Sequence, residues 1–273
     1  MAGDLAGDTA THKKQKPVGD LADSFSYVSA SMLDQRILVI TGAGISAESG
    51  IPTFRGKDGY WRNLDPAKLA TPEAFQRDPT LVWEWYRERR ARIRSAQPND
   101  AHLAVARLAK SCRDFLLVTQ NVDDLHDRAQ SAHGLVERDR VVKIHGDIFL
   151  TRCSRCDHNF YEPDRDGLDV PLCPICGAMM RPGVVWFGET LDVNRIGQVE
   201  SWLEKGRCDR VFVIGTTAMF GYIAHWALRG AEEDAELIEI NPDTTALSQY
   251  ATRSTHQPAG AVMPKLIDEL LRG

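Results

Sequence analysis

The stretch from Ile37 to Pro52 constrains the fold more than any other part of the chain. Branched apolar residues from Ile37 to Ile40 run into Thr41 and then stop at Gly42. Such a run reads as a buried strand entering a tight turn. Gly42, Gly44 and Ala47 fit the G-x-G-x-x-G/A spacing of a dinucleotide-binding turn. Glycine lets the backbone come close to a pyrophosphate, and free N–H groups at the start of the next helix favour anions. Small-residue turns after strands are common, so the meaning of this one rests on the other strand ends.

The 273 residues are 43% hydrophobic and 26% charged, enough for a real core in one large domain with room for a smaller one. A formal net charge of −5 gives no drive toward DNA or acidic membranes, so no stable nucleic-acid partner is expected. No apolar run approaches the roughly 18 residues needed to span a bilayer, and no membrane partner is expected. The first residues lack the apolar core of a signal peptide. Asp4, Asp8 and Asp20, with no arginine before Arg36, argue against a transit peptide. The expectation is a cytoplasmic protein, in which six cysteines suggest metal before disulfides. The oligomeric state is left open.

Residues 1–20 are small, polar and charged and read as a disordered tail, with Lys13, Lys14 and Lys16 as a solvated patch. Asp23 to Asp34 reads as a short helix under the first strand. Apolar runs recur at Ile37–Thr41, Phe115–Thr119, Val141–Ile144, Val184–Phe187, Val211–Ile214 and Leu237–Ile240. Most are continuous, as parallel strands covered on both faces are. Helical segments at Ala101–Lys110, Asp123–Ala129, Arg195–Lys205 and Tyr222–Ala231 separate several of them. Pro264–Leu271 closes the chain as a helix with Pro264 at its start. The alternation predicts an α/β fold, a Rossmann-like doubly wound parallel sheet built from residues 21–53, 99–150 and 183–273. Two segments break the rhythm: 54–98 is polar, aromatic and helical, and 151–182 is loop-rich with four cysteines. They are expected to form a smaller domain from a helical insertion and a zinc-ribbon insertion.

Cys153 and Cys156 form one C-x2-C pair, and Cys173 and Cys176 form another sixteen residues on. Each pair can place two thiolates on one ion, and two pairs complete a tetrahedral shell for structural Zn2+. Four thiolates leave no open position for catalysis. The flanking charges are mixed (Arg152, Arg155, Asp157, Glu162, Asp164), which favours a structural role over nucleic-acid binding. Cys112 and Cys208 lie beside predicted strands and read as core thiols.

Ligands of open α/β sheets bind beyond the carboxyl ends of the strands. Those ends carry Gly42 to Gly44, Thr119 to Asp123, His145 to Asp147, Gly188 and Glu189, Gly215 to Thr217, and Asn241 to Asp243. His145 is the candidate general base, because imidazole titrates near neutral pH and can take a proton from a ribose hydroxyl. A histidine that merely caps a strand fits the same position. Asn121 and Asp123 can hold an amide or order a water, or can cap a loop. A dehydrogenase of this fold would place an acidic residue roughly 20 positions past the glycines to hold the ribose. Here that region is Gly59 to Asn63, inside the helical insertion.

Taken together, Gly42 to Arg55, Thr119 to Asp123, Lys143 to Gly146 and the two cysteine pairs resemble the sirtuins, NAD-dependent protein lysine deacylases. Arg181 to Glu189 and Gly215 to Thr217 add to the resemblance, which runs from about Ile37 to the end of the chain. It implies a Rossmann domain and a smaller module, with NAD+ and an acylated lysine of a protein or peptide meeting between them. By similarity Gly42, Ala43, Gly44, Ala47, Glu48, Thr53, Phe54, Arg55 and Trp61 wrap the cofactor, with Phe54 and Arg55 over the nicotinamide ribose. Gln120, Asn121, Val122 and Asp123 would hold the nicotinamide and its ribose, and Asn121 joins His145 as a catalytic candidate. Gly215, Thr216 and Thr217 would take phosphates and the adenine ribose, Asn241, Pro242 and Asp243 the adenosine end, and Ala259 the adenine. Val185, Trp186, Phe187, Gly188 and Glu189 would pair with the substrate peptide as an added strand. The implied reaction has the acyl oxygen displace nicotinamide and His145 activate a ribose hydroxyl, giving free lysine and 2′-O-acyl-ADP-ribose.

Tyr86 and Arg89 lie i, i+3 on the predicted helix Thr80–Ser95. With Arg87, Arg90, Arg92 and Arg94 nearby, they read on their own as part of a solvated basic face. Within the resemblance they match the Tyr and Arg of the subgroup that accepts succinyl- and malonyl-lysine, and Ala70 matches its small pocket residue. Arg89 can make a forked pair with an acyl carboxylate, and Tyr86 can add a bond. The resemblance thus implies desuccinylase and demalonylase activity with some deacetylase activity. Three departures stand out: Gly-Thr-Thr at 215–217 where the family has Gly-Thr-Ser, no proline in Ala218 to Tyr222, and Asp124 after Asp123. A mono-ADP-ribosyltransferase and a non-catalytic NAD- or peptide-binding module remain as alternatives.

Overall fold

The computed structural model describes residues 34–53, 65–134, 140–163, 166–167, 169–232 and 234–272. Its strands are β1 (Arg36–Thr41), β2 (Asp114–Thr119), β3 (Val141–Lys143), β4 (Gly146–Cys153), β5 (Asn159–Tyr161), β6 (Met180–Val184), β7 (Arg210–Ile214), β8 (Glu236–Ile240) and β9 (Arg253–Thr255). Its helices are α1 (Gly44–Ala47), α2 (Pro66–Leu69), α3 (Pro72–Arg77), α4 (Pro79–Ser95), α5 (Asp100–Ser111), α6 (Leu125–Ala132), α7 (Val193–Glu204), α8 (Gly221–Gly230) and α9 (Ala259–Arg272). No helix among the described residues is long and apolar enough to cross a membrane.

Six strands form a parallel sheet in the order β3-β2-β1-β7-β8-β9. Successive residues of a strand point to opposite faces, and the core divides accordingly. Ile37 and Val39 of β1 pack with Val105 and Leu108 of α5 and Met263 and Ile267 of α9. Leu38 and Ile40 pack with Val199 of α7 and Ile223 and Trp226 of α8. Both faces are covered, which is why β1, β2, β7 and β8 carry continuous apolar runs. The strand order reverses at β1, between β2 and β7, and this switch point opens a crevice beyond the carboxyl ends of β1 and β7.

A second, antiparallel sheet has the order β5-β4-β6. Val184–Phe187 is therefore not a strand of the main sheet, as its apolar run suggests. Val184 ends β6, and the next residues cross between modules: Val185 N–H donates to His145 O at 2.8 Å, and Phe187 N–H to Ala70 O at 2.9 Å. Trp186 is buried by the helical module rather than by a sheet, with its ring 5.3 Å from that of Phe75. The closing helix also differs from expectation. It begins at Ala259, with Pro264 inside it. The Glu48 carboxylate accepts Gly260 N–H at 2.7 Å and caps the helix from 212 residues away, and Ala259 and Met263 are buried in the core.

The helical module starts at well-formed caps. Thr71 accepts from Ala74 N–H ahead of Pro72, and Asp78 from Leu81 N–H ahead of Pro79. The α4 arginines are engaged rather than forming a solvated face. Arg90 is buried and donates to Ile148 O at 2.6 Å, to Asp166 at 2.8 Å and to Thr151 Oγ1 at 3.1 Å, which ties α4 to β4. Arg94 pairs with Asp166, Arg92 with Glu88, and Arg87 donates to Asp169 O. Arg89 lies with its guanidinium carbon 5.0 Å from the Trp85 ring centroid.

Candidate active site

The glycines after β1 meet the turn after β7. Gly42 N–H donates to Ile214 O at 3.0 Å and Gly44 N–H to Gly215 O at 2.8 Å. A Cβ on Gly44 would stand 2.7 Å from Gly215 Cα, and one on Gly42 2.7 Å from Thr216 Cβ. Gly215, at φ +61°, would bring a Cβ within 2.4 Å of Ile45 N. The two glycine turns are thus locked against each other, and Gly42, Ala43 and Gly44 share one rim of the crevice with Gly215, Thr216 and Thr217. Ala47 and Glu48 lie exposed at the outer end of α1, followed by Thr53. Phe54, Arg55 and Trp61 lie outside the described residues, as do the proposed tail and residues 23–33 of the expected first helix.

The segment after β2 forms the floor. Gln120 donates to Thr216 Oγ1 at 2.9 Å, joining it to the β7 turn. Asn121 donates to Gly42 O at 3.1 Å and to Ser46 Oγ at 3.2 Å. Both N–H bonds of this amide are used inside the protein, so its oxygen is the atom it offers a ligand. Asp123 is buried and accepts from Ser46 Oγ at 3.0 Å and from Leu125 N–H at 3.1 Å. Burial pushes its carboxyl pKa up, and these two donors oppose the shift. Val122 accepts Ile148 N–H at 2.9 Å.

His145 stands between β3 and β4. Its Nδ1 is 3.0 Å from Gln120 O, and its Nε2 meets the hydroxyl of Tyr222. A carbonyl only accepts, so Nδ1 carries the proton and Nε2 the lone pair. Burial lowers the imidazole pKa from its ordinary value, and the Gln120 carbonyl partly offsets this. At neutral pH the group is a neutral base. Further along the sheet edge, Asn241 donates to Thr216 O at 2.8 Å and accepts Asp243 N–H at 3.1 Å. Pro242 and Asp243 are exposed, and Ala259 is buried at the start of α9. The buried Glu239 carboxylate takes the hydroxyls of Thr245, Ser248 and Ser254, which fixes the loop that follows.

Tyr86, Arg89 and Ala70 lie in the helical module, with Ala70 and Tyr86 buried. Trp186 Nε1–H donates to Tyr86 Oη at 2.9 Å. Burial pushes the Tyr86 phenol up to about 12 despite the opposing Arg89, so it is neutral at working pH. Burial lowers the Arg89 pKa, opposed by Tyr86 and Asp123. Glu189 accepts Trp186 N–H at 2.8 Å and pairs with Arg181, whose guanidinium carbon lies 3.3 Å from the Trp186 ring centroid. Burial would raise the Glu189 carboxyl, but Arg181 and that amide hold it below its usual value. Phe187 and Gly188 are exposed beyond this clamp.

The four cysteines converge. Their sulfurs lie within 4.8 Å of one another, with Cys153 Sγ 3.4 Å from Cys176 Sγ and Cys156 Sγ 3.6 Å from Cys173 Sγ. Tetrahedral Zn–S bonds of about 2.3 Å require sulfur separations of about 3.8 Å, and the cluster fits one zinc ion.

Several residues of this region carry no local sequence signal. Ser46 joins Asn121 and Asp123 from inside the glycine turn. Thr41, Thr119, His102 and His126 form a buried polar layer beneath it, with His126 Nε2 3.1 Å from Thr41 Oγ1 and the two imidazoles 4.8 Å apart. Tyr222 is marked in the sequence only by the missing proline.

The Sir2 family model matches residues 42–220. An NAD-dependent protein deacylase of Pyrococcus furiosus is 44% identical over 241 residues, covering 86% of this chain and 93% of that protein. The NAD-dependent protein deacylase sirtuin-5, mitochondrial, of Danio rerio is 38% identical over 283 residues, covering 94% and 89%. A crystal structure of a Sir2 homolog–NAD complex superposes with a TM-score of 0.79 at 40% identity, covering 89% of this chain and 92% of that one.

Proposed function

The chain belongs to the Sir2 family, and from that premise we propose that it removes succinyl and malonyl groups, and some acetyl groups, from protein lysines in an NAD-dependent reaction. The observation that carries the acyl choice is the Trp186–Tyr86 bond, with Arg89 three residues on in α4. Tyr86 accepts from the indole and keeps its own O–H to donate. Burial makes the Arg89 charge costly, and an acyl carboxylate would offset that cost. Ala70 leaves room beside them.

In this reading NAD+ is consumed, with nicotinamide and 2′-O-acyl-ADP-ribose as products. Gly42 to Gly44 and Gly215 to Thr217, locked against each other, form the rim along which its phosphates lie, and the absence of side chains at the glycines lets them come close to the backbone. Asn121 presents its side-chain oxygen, and Gln120 and Asp123 order the floor. His145 takes a proton from a ribose hydroxyl at Nε2 while Nδ1–H stays on Gln120 O. Cys153, Cys156, Cys173 and Cys176 hold structural zinc. The substrate peptide lies along Val185 to Glu189, held in place by Arg181 and Glu189. All six cysteines are unpaired as disulfides, which fits a cytoplasmic setting.

The test is a panel of acetyl-, malonyl-, succinyl- and glutaryl-lysine peptides incubated with NAD+, with products read by mass spectrometry. Faster turnover of the acidic acyl groups with O-acyl-ADP-ribose as product is expected. ADP-ribose attached to protein would assign transferase activity instead, and no turnover of any peptide would leave a binding module.

A further inference from the structure

Tyr222 is the second residue of α8, which follows the turn of Gly215 to Phe220. Within that turn Ala218 adopts φ 49°, a left-handed conformation that a non-glycine residue adopts only under constraint. The bend carries Phe220 and Tyr222 over His145. The Phe220 and Tyr222 rings stack at 5.7 Å and 15°. Tyr222 also meets Trp226 at 5.3 Å, and Phe220 stands edge-on to His145 at 5.6 Å. The Tyr222 ring is perpendicular to the imidazole at 89°, and Oη lies 2.5 Å from Nε2.

Nδ1 of His145 donates to Gln120 O, so Nε2 accepts the phenolic proton. An imidazole nitrogen of this kind has one lone pair, in the ring plane. A ribose hydroxyl that gives its proton to Nε2 needs that same lone pair.

We propose that Tyr222 is a latch on His145: its hydroxyl occupies the one lone pair through which His145 accepts a proton, and a ribose hydroxyl must displace it to reach the base. The proposal rests on the reading of His145 as the base. The latch is a positioning device and takes no part in the chemistry. It has a separable signature, because it acts on the free enzyme and is absent once the ribose is seated.

The test is Tyr222→Phe in the full-length protein, which deletes the hydroxyl and keeps the ring against Phe220 and Trp226. Losing one neutral hydrogen bond from the resting state should raise kcat/KM for NAD+ about two- to tenfold, with kcat unchanged. The acid limb of the kcat/KM profile should move to higher pH, because the phenolic donor favours the neutral imidazole, while the kcat limb stays in place. An NMR titration of His145 without NAD+ should show the same upward shift in Tyr222→Phe. A fall in kcat would overturn the latch and make Tyr222 a contributor to the chemical step. Unchanged kcat/KM, or an unchanged His145 titration, would overturn it as well. His145→Ala separates the latch from its premise. If that variant still deacylates, the reading of His145 as base has failed. If it is inert while Tyr222→Phe is no faster than the wild type, only the latch has failed.

Discussion

Trp186 Nε1–H donates to the hydroxyl oxygen of Tyr86 across 100 residues of sequence, at 2.9 Å. This bond fixes the phenol by its acceptor side and leaves the O–H to donate. With Arg89 one turn on, it forms the pair on which the proposed acyl choice rests. Arg89→Met should lower kcat/KM for succinyl-lysine about ten- to over a hundredfold, the equivalent of a charged bond of about 1.5–3 kcal/mol, and leave acetyl-lysine turnover near wild type. Tyr86→Phe should give a smaller loss in the same direction. Steady-state assays on the paired peptides decide the matter, and equal loss of both activities contradicts the assignment.

The glycine turns make a second prediction. A methyl group on Gly44 would meet Gly215 backbone atoms at 2.7 and 2.8 Å, where no flexible side chain can yield. Gly44→Ala should destabilise the fold by about 1–3 kcal/mol and sharply weaken NAD+ binding, because the two turns must part. Gly197 lies within α7 with nothing within 4 Å of its added Cβ. Gly197→Ala should instead stabilise by about 0.5–1 kcal/mol, as alanine does in a helix interior. Urea denaturation and calorimetric titration with NAD+ on both variants provide the check. Unaltered NAD+ affinity in Gly44→Ala would show that the turns are not coupled to binding.

The same geometry explains how far the sequence could be read. β1, β2, β7 and β8 announce themselves because both faces of a parallel sheet are buried, so the apolar run is the strand. Val184–Phe187 has the same signature for another reason, since Trp186 is covered by Phe75 and Tyr86 of the helical module. Periodicity reports that a residue is buried and is silent about what buries it. β9 is short and mostly exposed, so Arg253 to Thr255 leaves no apolar trace. The start of α9 depends on Glu48, a cap no local window contains. In the site, Gln120, Asn121, Asp123 and His145 stand at strand ends, where fold rules place ligands. Ser46, His126 and Tyr222 act through contacts 75 to 85 residues distant, and only the folded chain brings them in.

The cysteine cluster predicts a stability effect separable from acyl choice. Four thiolates close the coordination shell, so zinc acts on folding, and binding free energy becomes folding free energy. Cys156→Ser should reduce bound zinc below one per chain and lower the melting temperature, with the ratio of desuccinylation to deacetylation unchanged. Chelator treatment should do the same and zinc should reverse it. Metal analysis alongside thermal melts settles this, and a metal-free protein with unchanged melting would exclude a structural role.

The buried imidazoles beneath the glycine turn predict how stability depends on pH. Burial lowers His102 to about 2, with His126 and Arg128 adding to the shift, and lowers His126 to about 3, with Lys143 adding. Both are neutral in the folded protein, while the unfolded chain protonates them near pH 6.5. Below that pH the unfolded state binds more protons, so stability is fully present above about pH 6.5 and falls as the pH drops toward 3. Each group contributes a slope of about 1.4 kcal/mol per pH unit in that window. His126→Gln keeps a polar partner for Thr41 and removes one titrating group. Its stability should therefore fall less steeply than that of the wild type between pH 6.5 and 5, by about 1.4 kcal/mol per unit. Urea unfolding at several pH values compares the slopes. Parallel curves for the two proteins would mean that His126 is as easily protonated in the folded chain as in the unfolded one.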